Sequence, residues 1–526
     1  MRKLIVEAKN ATFLSLDPKG RIIIFSILLI LLSSCGYTQS LNIIPQPVKE
    51  AITGKKYIIK NNSNIFIPSG SKELLRLAYY LKNELHNKTG LNLSIKKGKR
   101  KNGIVLSIDK KFSLMNSGYK LLVDSNCVKI TSKSCSGIFY GIQTLREILC
   151  EDKEFYFPGC NVADFPRYSY RGFMLDASRH FQSVDFVNRI LDIMSLLKLN
   201  VFHWHLTDNE GWRIESKRYP RLNTIGSYQD SLNSIERNGY YTIKEIKDII
   251  KYARERYIKV VPEIEMPGHS KEVMQSYPYL LSPSDSSGIT YCAGKERDYK
   301  FIENIIDEVI EIFKPDIIHV GGDERPKGVW EKDSLCQKMM RLKQITDEEL
   351  LQNYFMKRIC DYVSSKGVKT IAWAENIAGG IPQNQIIENY YPDISMEAAR
   401  DNYYTINANC FYTYFDYPSS QEQKIKEHKP LWMPVLNLEK VYSFNPTPDS
   451  LEEEKRKYII GTECALWTEL VQQHDVSYQI FPRILAFAED AWTQENEKNY
   501  EDFLKRVYIL KPLINSIGFE FEQGKW

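Results

Sequence analysis

The densest chemistry in this sequence lies in Ile317-Ile318-His319-Val320-Gly321-Gly322-Asp323-Glu324, an apolar run that passes through two glycines into adjacent carboxylates. Two neighbouring carboxyls in a partly desolvated cleft resist ionising together, so one keeps its proton near neutral pH and can serve as a general acid. Cleavage of a glycosidic bond needs such a group. The glycines would let a substrate approach the backbone closely. A solvated Asp-Glu pair after a strand would look the same, so the reading depends on other groups converging on this one. Two segments supply them: His203-Trp204-His205-Leu206-Thr207-Asp208 with Gly211-Trp212-Arg213 behind it, and Pro262-Glu263-Ile264-Glu265-Met266-Pro267-Gly268-His269.

Short apolar runs must position these groups. They recur at Tyr170 to Asp176, Val201 to Leu206, Ile258 to Ile264, Ile317 to Gly321, Thr370 to Trp373, Gln385 to Tyr391, Asn409 to Tyr414 and Ile459 to Leu466, with helical stretches between most of them. No clear helix stands out between Ala374 and Asn409. This rhythm predicts an α/β chain with a (β/α)₈ TIM barrel, in which the residues after the C-terminal strand ends share one cleft. Ahead of it, residues 41–163 alternate strand-like Gly103 to Ile108 and Tyr119 to Val123 with helical Ser71 to Asn87 and Gly137 to Leu149, a small α+β domain. The Pro-marked turn at Asp164-Phe165-Pro166-Arg167 sets the boundary, leaving 164–526 for the barrel. A length of 526 residues suits two domains.

At the N-terminus, Arg21 precedes the apolar run Ile22 to Leu32, which is too short to span a bilayer comfortably and is typical of an export signal. It ends in Leu32-Ser33-Ser34-Cys35-Gly36, which resembles a bacterial lipobox. Residues 1–34 are therefore expected to be removed, with Cys35 acylated as the mature N-terminus. That would make the protein a cell-envelope lipoprotein touching the membrane through its lipid only. The formal charge of +4 includes five basic and two acidic residues before Cys35, so the remainder is close to neutral and shows no pull toward nucleic acid. With 43% hydrophobic and 26% charged residues the chain has an ordinary globular composition. Nine cysteines follow Cys35, without C-x-x-C or metal-finger spacing. No disulfide framework or metal site is implied, although Cys127 and Cys135, or Cys150 and Cys160, are near enough in sequence to pair.

Taken together, these segments resemble the family-20 glycoside hydrolases, the β-N-acetylhexosaminidases. Ile44-Pro45-Gln46-Pro47, Gly137-Ile138-Phe139-Tyr140-Gly141, Pro482-Arg483 and Ala488-Glu489 extend the likeness over nearly everything after Cys35. The resemblance implies exo-acting release of terminal GlcNAc or GalNAc from an oligosaccharide or glycoconjugate, with no cofactor or metal, by substrate-assisted retention. On that basis Glu324 protonates the leaving oxygen and then activates water, while Asp323 orients the acetamido group and stabilises the oxazolinium charge. Arg179 binds sugar hydroxyls, and Asp416 and Glu469 accept from the far ones. His269 hydrogen-bonds near Glu324 with Asp208 behind it. Trp373, Tyr414 and Trp467 enclose the N-acetyl group and the sugar face.

The chain departs from the family pattern at three places. Glu388-Asn389-Tyr390-Tyr391 stands where a further Trp is usual, Glu265 where Asp is usual, and Ala374 where Asp often precedes Glu375. Three other readings compete. One is a conventional retaining β-glycosidase with Glu324 as acid and Asp416 as nucleophile. Another is a metal-dependent hydrolase built on His203 and His205 with His269, His319 and Asp323. The last is a sugar-binding lipoprotein without turnover.

Overall fold

The computed structural model describes residues 13–16, 22–25, 40–98, 102–115, 117–228, 238–375 and 385–521. Within the expected export segment, Phe13–Leu16 and Ile22–Phe25 pair as antiparallel strands and form a unit of their own. Cys35 lies outside the described residues. Among those residues no helix is long and apolar enough to cross a membrane.

From Leu41 onward the chain forms one compact unit of two parts. The first is a mixed sheet whose strands run in the order Lys49–Ile58, Phe155–Asp164, Tyr119–Val123, Cys127–Ser132, Gly103–Ile108, Asn64–Ile67, Ser94–Lys97. Helices Lys72–Thr89 and Cys135–Glu147 pack on it. Ser71 and Ser134 cap them by accepting from Leu74 N and Gly137 N. Helix Lys72–Thr89 shows the expected single apolar stripe, burying Leu74, Leu77, Ala78, Leu81 and Leu85.

The second part is a closed barrel of eight parallel strands: β1 Tyr170–Asp176, β2 Val201–His205, β3 Lys259–Glu263, β4 Ile317–His319, β5 Lys369–Trp373, β6 Gln385–Asn389, β7 Thr405–Asn407 and β8 Ile459–Leu466. Helices Val184–Leu196, Ile243–Glu255, Glu296–Phe313 and Glu348–Ser365 follow β1 to β4 and turn rows of Ile, Leu, Val and Phe onto the barrel. Two expectations are corrected here. The seventh strand is Thr405–Asn407, because Asn409 accepts from Phe411 N and turns Cys410–Thr413 into a helix. The stretch between β6 and β7 does hold a helix, Pro392–Arg400.

The two parts share a core. Trp492, at the end of helix Arg483–Trp492, is fully buried among the apolar side chains of the sheet domain and donates its indole N–H to Asp164 (3.0 Å). Arg171 and Lys198 lie over the same ring, and Lys198 also pairs with Asp164 at 3.3 Å. The Ile44-Pro45-Gln46-Pro47 motif belongs to this seam. Glu147 accepts from Ile44 N, Glu489 from Gln46 N, and Gln46 O from Thr493 Oγ1.

Candidate active site

Described residues that follow the barrel strands meet above their C-terminal ends, and one residue ties two of these segments together. Asp176, the last of β1, accepts from Ser178 N (2.8 Å) and Arg179 N (3.0 Å) through one oxygen and from Thr468 N (3.0 Å) through the other. This turn fixes Arg179 after β1 and holds the segment after β8, with Trp467 and Glu469 on either side of Thr468. The Arg179 guanidinium is buried. It lies 2.7 Å from Asp208, 3.1 Å from Glu210, 3.4 Å from Asp176 and 3.5 Å from Glu469, and it packs over Trp467. Burial works against its charge, but Asp208 and then Glu469 outweigh this and hold the proton firmly.

Close to the paired carboxylates, His269 (49°), Gly321 (60°), Gly322 (111°) and Glu324 (45°) take positive φ. The glycines do not line the cavity, contrary to the expectation that they admit substrate to the backbone. A Cβ on Gly321 would stand 2.1 Å from a Glu265 carboxylate oxygen, and one on Gly322 would stand 3.0 Å from the Met356 methyl. Their role is to let the chain turn over Glu265 and aim the next two carboxylates. Arg325 then anchors the segment from behind, donating to Gln352 (2.8 Å) and Glu348 (2.9 Å), while Gln352 donates to Gly322 O (2.7 Å).

Asp323 and Glu324 differ in surroundings. The Asp323 side chain is 14% exposed and has an oxygen with no hydrogen-bond partner among the described residues; that of Glu324 is 65% exposed. Burial pushes the Asp323 carboxyl up to about 7 against the pull of His269, and Glu263, Glu375 and Asp208 add to the rise. Glu324 is held below the usual range by its hydrogen bond to His269. The two carboxyls are shifted in opposite directions, so that Asp323, rather than Glu324, is the one whose surroundings favour a proton. His269 joins them. Its Nδ1 is 3.0 Å from Asp208, and its Nε2 is 3.5 Å from Glu324 and 3.8 Å from Asp323. Burial disfavours its charge, but Asp208 and then Glu324 prevail, so the ring carries a positive charge.

Every pocket residue named from sequence lines one cavity of about 530 Å³: Arg179, His269, Asp323, Glu324, Trp373, Tyr414, Asp416, Trp467 and Glu469. Asp208 stands behind it, buried between Arg179, His205 and His269. Trp373, Trp467 and Tyr414 form a continuous aromatic wall with centroids 6.0 and 6.1 Å apart. Tyr390, in the segment that departs from the expected Trp, meets Trp373 edge-on and donates to Glu375 (2.7 Å), giving the wall a polar edge. Asp416 keeps an oxygen with no hydrogen-bond partner among the described residues, and its carboxyl is pushed up to about 8 by burial and by Glu469. Arg483 braces this end by donating to Phe415 O (2.6 Å) and Tyr417 O (2.8 Å), which accounts for the Pro482-Arg483 motif.

Sequence reasoning missed Asp176, Glu210 and the barrel interior. His203, His205 and His319 do not line the cavity. They meet Glu263, which lies 3.1 Å from His203 and 2.7 Å from His319, contacts His205 Nδ1, and accepts from Trp373 Nε1 at 2.7 Å. His203 also lies 2.6 Å from Glu463. The five groups of the metal-hydrolase reading are thus split between two levels. Glu210 had a signal, its place two residues after Asp208; Glu263 had none, since its partners are 56 to 110 residues away.

The likeness to known proteins covers both parts. Residues 40–165 match the model of glycosyl hydrolase family 20, domain 2, and residues 168–495 that of the family 20 catalytic domain. A beta-hexosaminidase of Porphyromonas gingivalis is 36% identical over 497 residues, 90% of this chain; the chain spans 63% of that relative's length. The crystal structure of a beta-N-acetylhexosaminidase from Bacteroides fragilis is 32% identical with a TM-score of 0.82, covering 92% of this chain and 97% of its own. An exo beta-N-acetylglucosaminidase from Vibrio harveyi, solved with N-acetylglucosamine, is 29% identical with a TM-score of 0.85, covering 92% of this chain and 79% of its own. With the catalytic-domain match running through the strands that carry Arg179, Asp323, Asp416 and Glu469, the chain belongs to glycosyl hydrolase family 20.

Proposed function

We propose that this chain is an exo-acting β-N-acetylhexosaminidase that releases terminal GlcNAc or GalNAc from oligosaccharides or glycoconjugates by a retaining, substrate-assisted route. One observation carries the reading: Asp323 and Glu324 stand side by side at one strand end, tied through His269, facing a wall of Trp373, Trp467 and Tyr414. The substrate's acetamido oxygen attacks the anomeric carbon, already held at reacting distance without translational entropy to lose. Asp323 receives the acetamido N–H and, once ionised, balances the oxazolinium charge. Glu324 protonates the departing oxygen and then takes a proton from water. A bound sugar strips water from the exposed Glu324 and raises its proton affinity, correcting the distribution of the open pocket. Arg179, Asp416 and Glu469 bind the far hydroxyls, and the Asp416 oxygen that has no partner among the described residues accepts one of them.

The conventional two-carboxylate reading asks Asp416 to be an anionic nucleophile, yet its carboxyl is pushed up to about 8. Hydrolysis of an aryl N-acetyl-β-glucosaminide beside the matching β-glucoside separates the two mechanisms. Cleavage of the acetamido substrate alone is expected, and equal cleavage of both would overturn the proposal.

We further propose export and lipid anchoring through Cys35, supported by the apolar run and the Leu32-Ser33-Ser34-Cys35-Gly36 motif. Cys35→Ser is expected to move the protein from the membrane fraction to the soluble one. Unchanged attachment would refute the anchor.

A further inference from the structure

Away from the cavity, two thiols and a carboxylate converge between the loop after β3 and the helix that follows the Asp323-Glu324 segment. Cys292 Sγ lies 3.6 Å from Cys336 Sγ and 3.5 Å from Asp333 Oδ2, and all three residues are buried. The fold forces this approach. A Cβ on Gly294 would stand 2.3 Å from the Leu335 backbone, so the loop lies directly on the first turn of helix Ser334–Lys343. Tyr291 O accepts from Trp330 Nε1 at 2.9 Å just beside it. Asp333 is oriented on both sides. One oxygen caps the helix by accepting from Leu335 N and Cys336 N, and the other accepts from Ser282 Oγ at 2.6 Å.

The distances discriminate between uses. A tetrahedral zinc ion, with bonds of about 2.3 Å to sulfur and about 2.0 Å to a carboxylate oxygen, sets two sulfurs about 3.8 Å apart and sulfur and oxygen about 3.5 Å apart. A disulfide requires an approach to about 2.05 Å and has no use for the aspartate. We propose that Cys292, Cys336 and Asp333 form a zinc site, with water in the fourth position, that staples the His269 loop to the segment carrying Asp323 and Glu324. Binding is balanced in charge. Each thiol gives its proton to solvent as the ion brings two positive charges, so the net charge of the buried cluster is unchanged by binding. Ser282, bonded to the ligating carboxylate, is the outer support such sites use. No sequence motif marks the site, because its ligands stand 41 and 3 residues apart.

The test uses the full chain purified without chelator, dialysed with zinc and then exchanged with cobalt. One zinc per chain is expected, with a thiolate-to-cobalt charge-transfer band that Cys336→Ser abolishes. Asp333→Asn, which keeps a capping oxygen, is expected to weaken zinc retention at least about tenfold. Thiol titration of the denatured wild-type chain keeps the proposal testable should the variants fail to fold. Two thiols fewer than the cysteine count, or no cobalt band in the wild type, would overturn it. None of these readouts requires the hydrolase activity.

Discussion

At two levels of the same barrel, histidines and carboxylates meet under opposite conditions. In the interior, His203, His205 and His319 surround Glu263, each within hydrogen-bond reach of it, and the indole of Trp373 closes the set. At the cavity, Asp323 and Asp416 each keep an oxygen, and His269 its Nε2, without a hydrogen-bond partner among the described residues, and Glu324 is exposed to solvent. The interior Glu263 is strongly ionised, because His319, His205 and His203 overcome its burial. Asp323 and Asp416 are instead pushed up to about 7 and about 8. The contrast lies between Glu263, whose neighbours favour its charge, and Asp323 and Asp416, each with an oxygen that has no partner among the described residues: a group whose partners are already present has little left to offer a substrate.

Four measurements would break or sharpen this contrast. The largest effect is expected at the cavity. Glu324→Gln should lower kcat/KM by about 10³-fold and Asp323→Asn by about 10²-fold, with the melting temperature nearly unchanged. Activity within about tenfold of wild type in either variant would remove the reactive label from this level. In the interior the effects should invert. Glu263→Gln is expected to cost about 3 kcal/mol of stability, read by denaturant unfolding, while folded protein keeps kcat within about tenfold. A collapse of kcat at unchanged stability would mean that the interior takes part in the chemistry.

A smaller effect concerns the cation between the levels. His269 pulls the Asp323 carboxyl down, so His269→Gln should raise it further. The acid limb of kcat/KM would then move to higher pH by about one unit; a limb that stays in place would detach Asp323 ionisation from the rate. The smallest is a stability trend. The folded Asp416 carboxyl binds its proton up to about 8 and the unfolded one only to the ordinary carboxylate range. Stability is therefore lost as pH rises between those values. Asp416→Asn should raise the melting temperature by about 2 °C at pH 8 and by less at pH 5, measured by calorimetry. An equal gain at both pH values would contradict the buried, uncharged state.

Legibility in the sequence followed the same division. Strands such as Tyr170–Asp176 and Ile459–Leu466 were readable because long apolar runs have few alternatives, and the residues that follow strands β1, β4 and β8 announced themselves by type. The seventh strand was not, since Thr405–Asn407 is three residues long and the aromatic alternation just after it is more strand-like than the strand. Which of two adjacent carboxyls favours its proton was equally hidden, because it depends on burial and on the charges of His269, Glu263 and Glu375 from three other loops and strands. The Glu263 cluster joins residues on four neighbouring strands, β2 to β5, which strand pairing and not sequence spacing brings together.

The buried Trp492 carries a lesson for anyone recombining these modules. Its helix belongs to the barrel, yet its indole completes the interior of the preceding sheet and is held there by Asp164, Arg171 and Lys198. The sheet domain is therefore not a detachable accessory. A barrel grafted to a foreign partner would present an unfilled socket on one side and a stranded ring on the other, and exchange between relatives would have to transplant both halves of that joint.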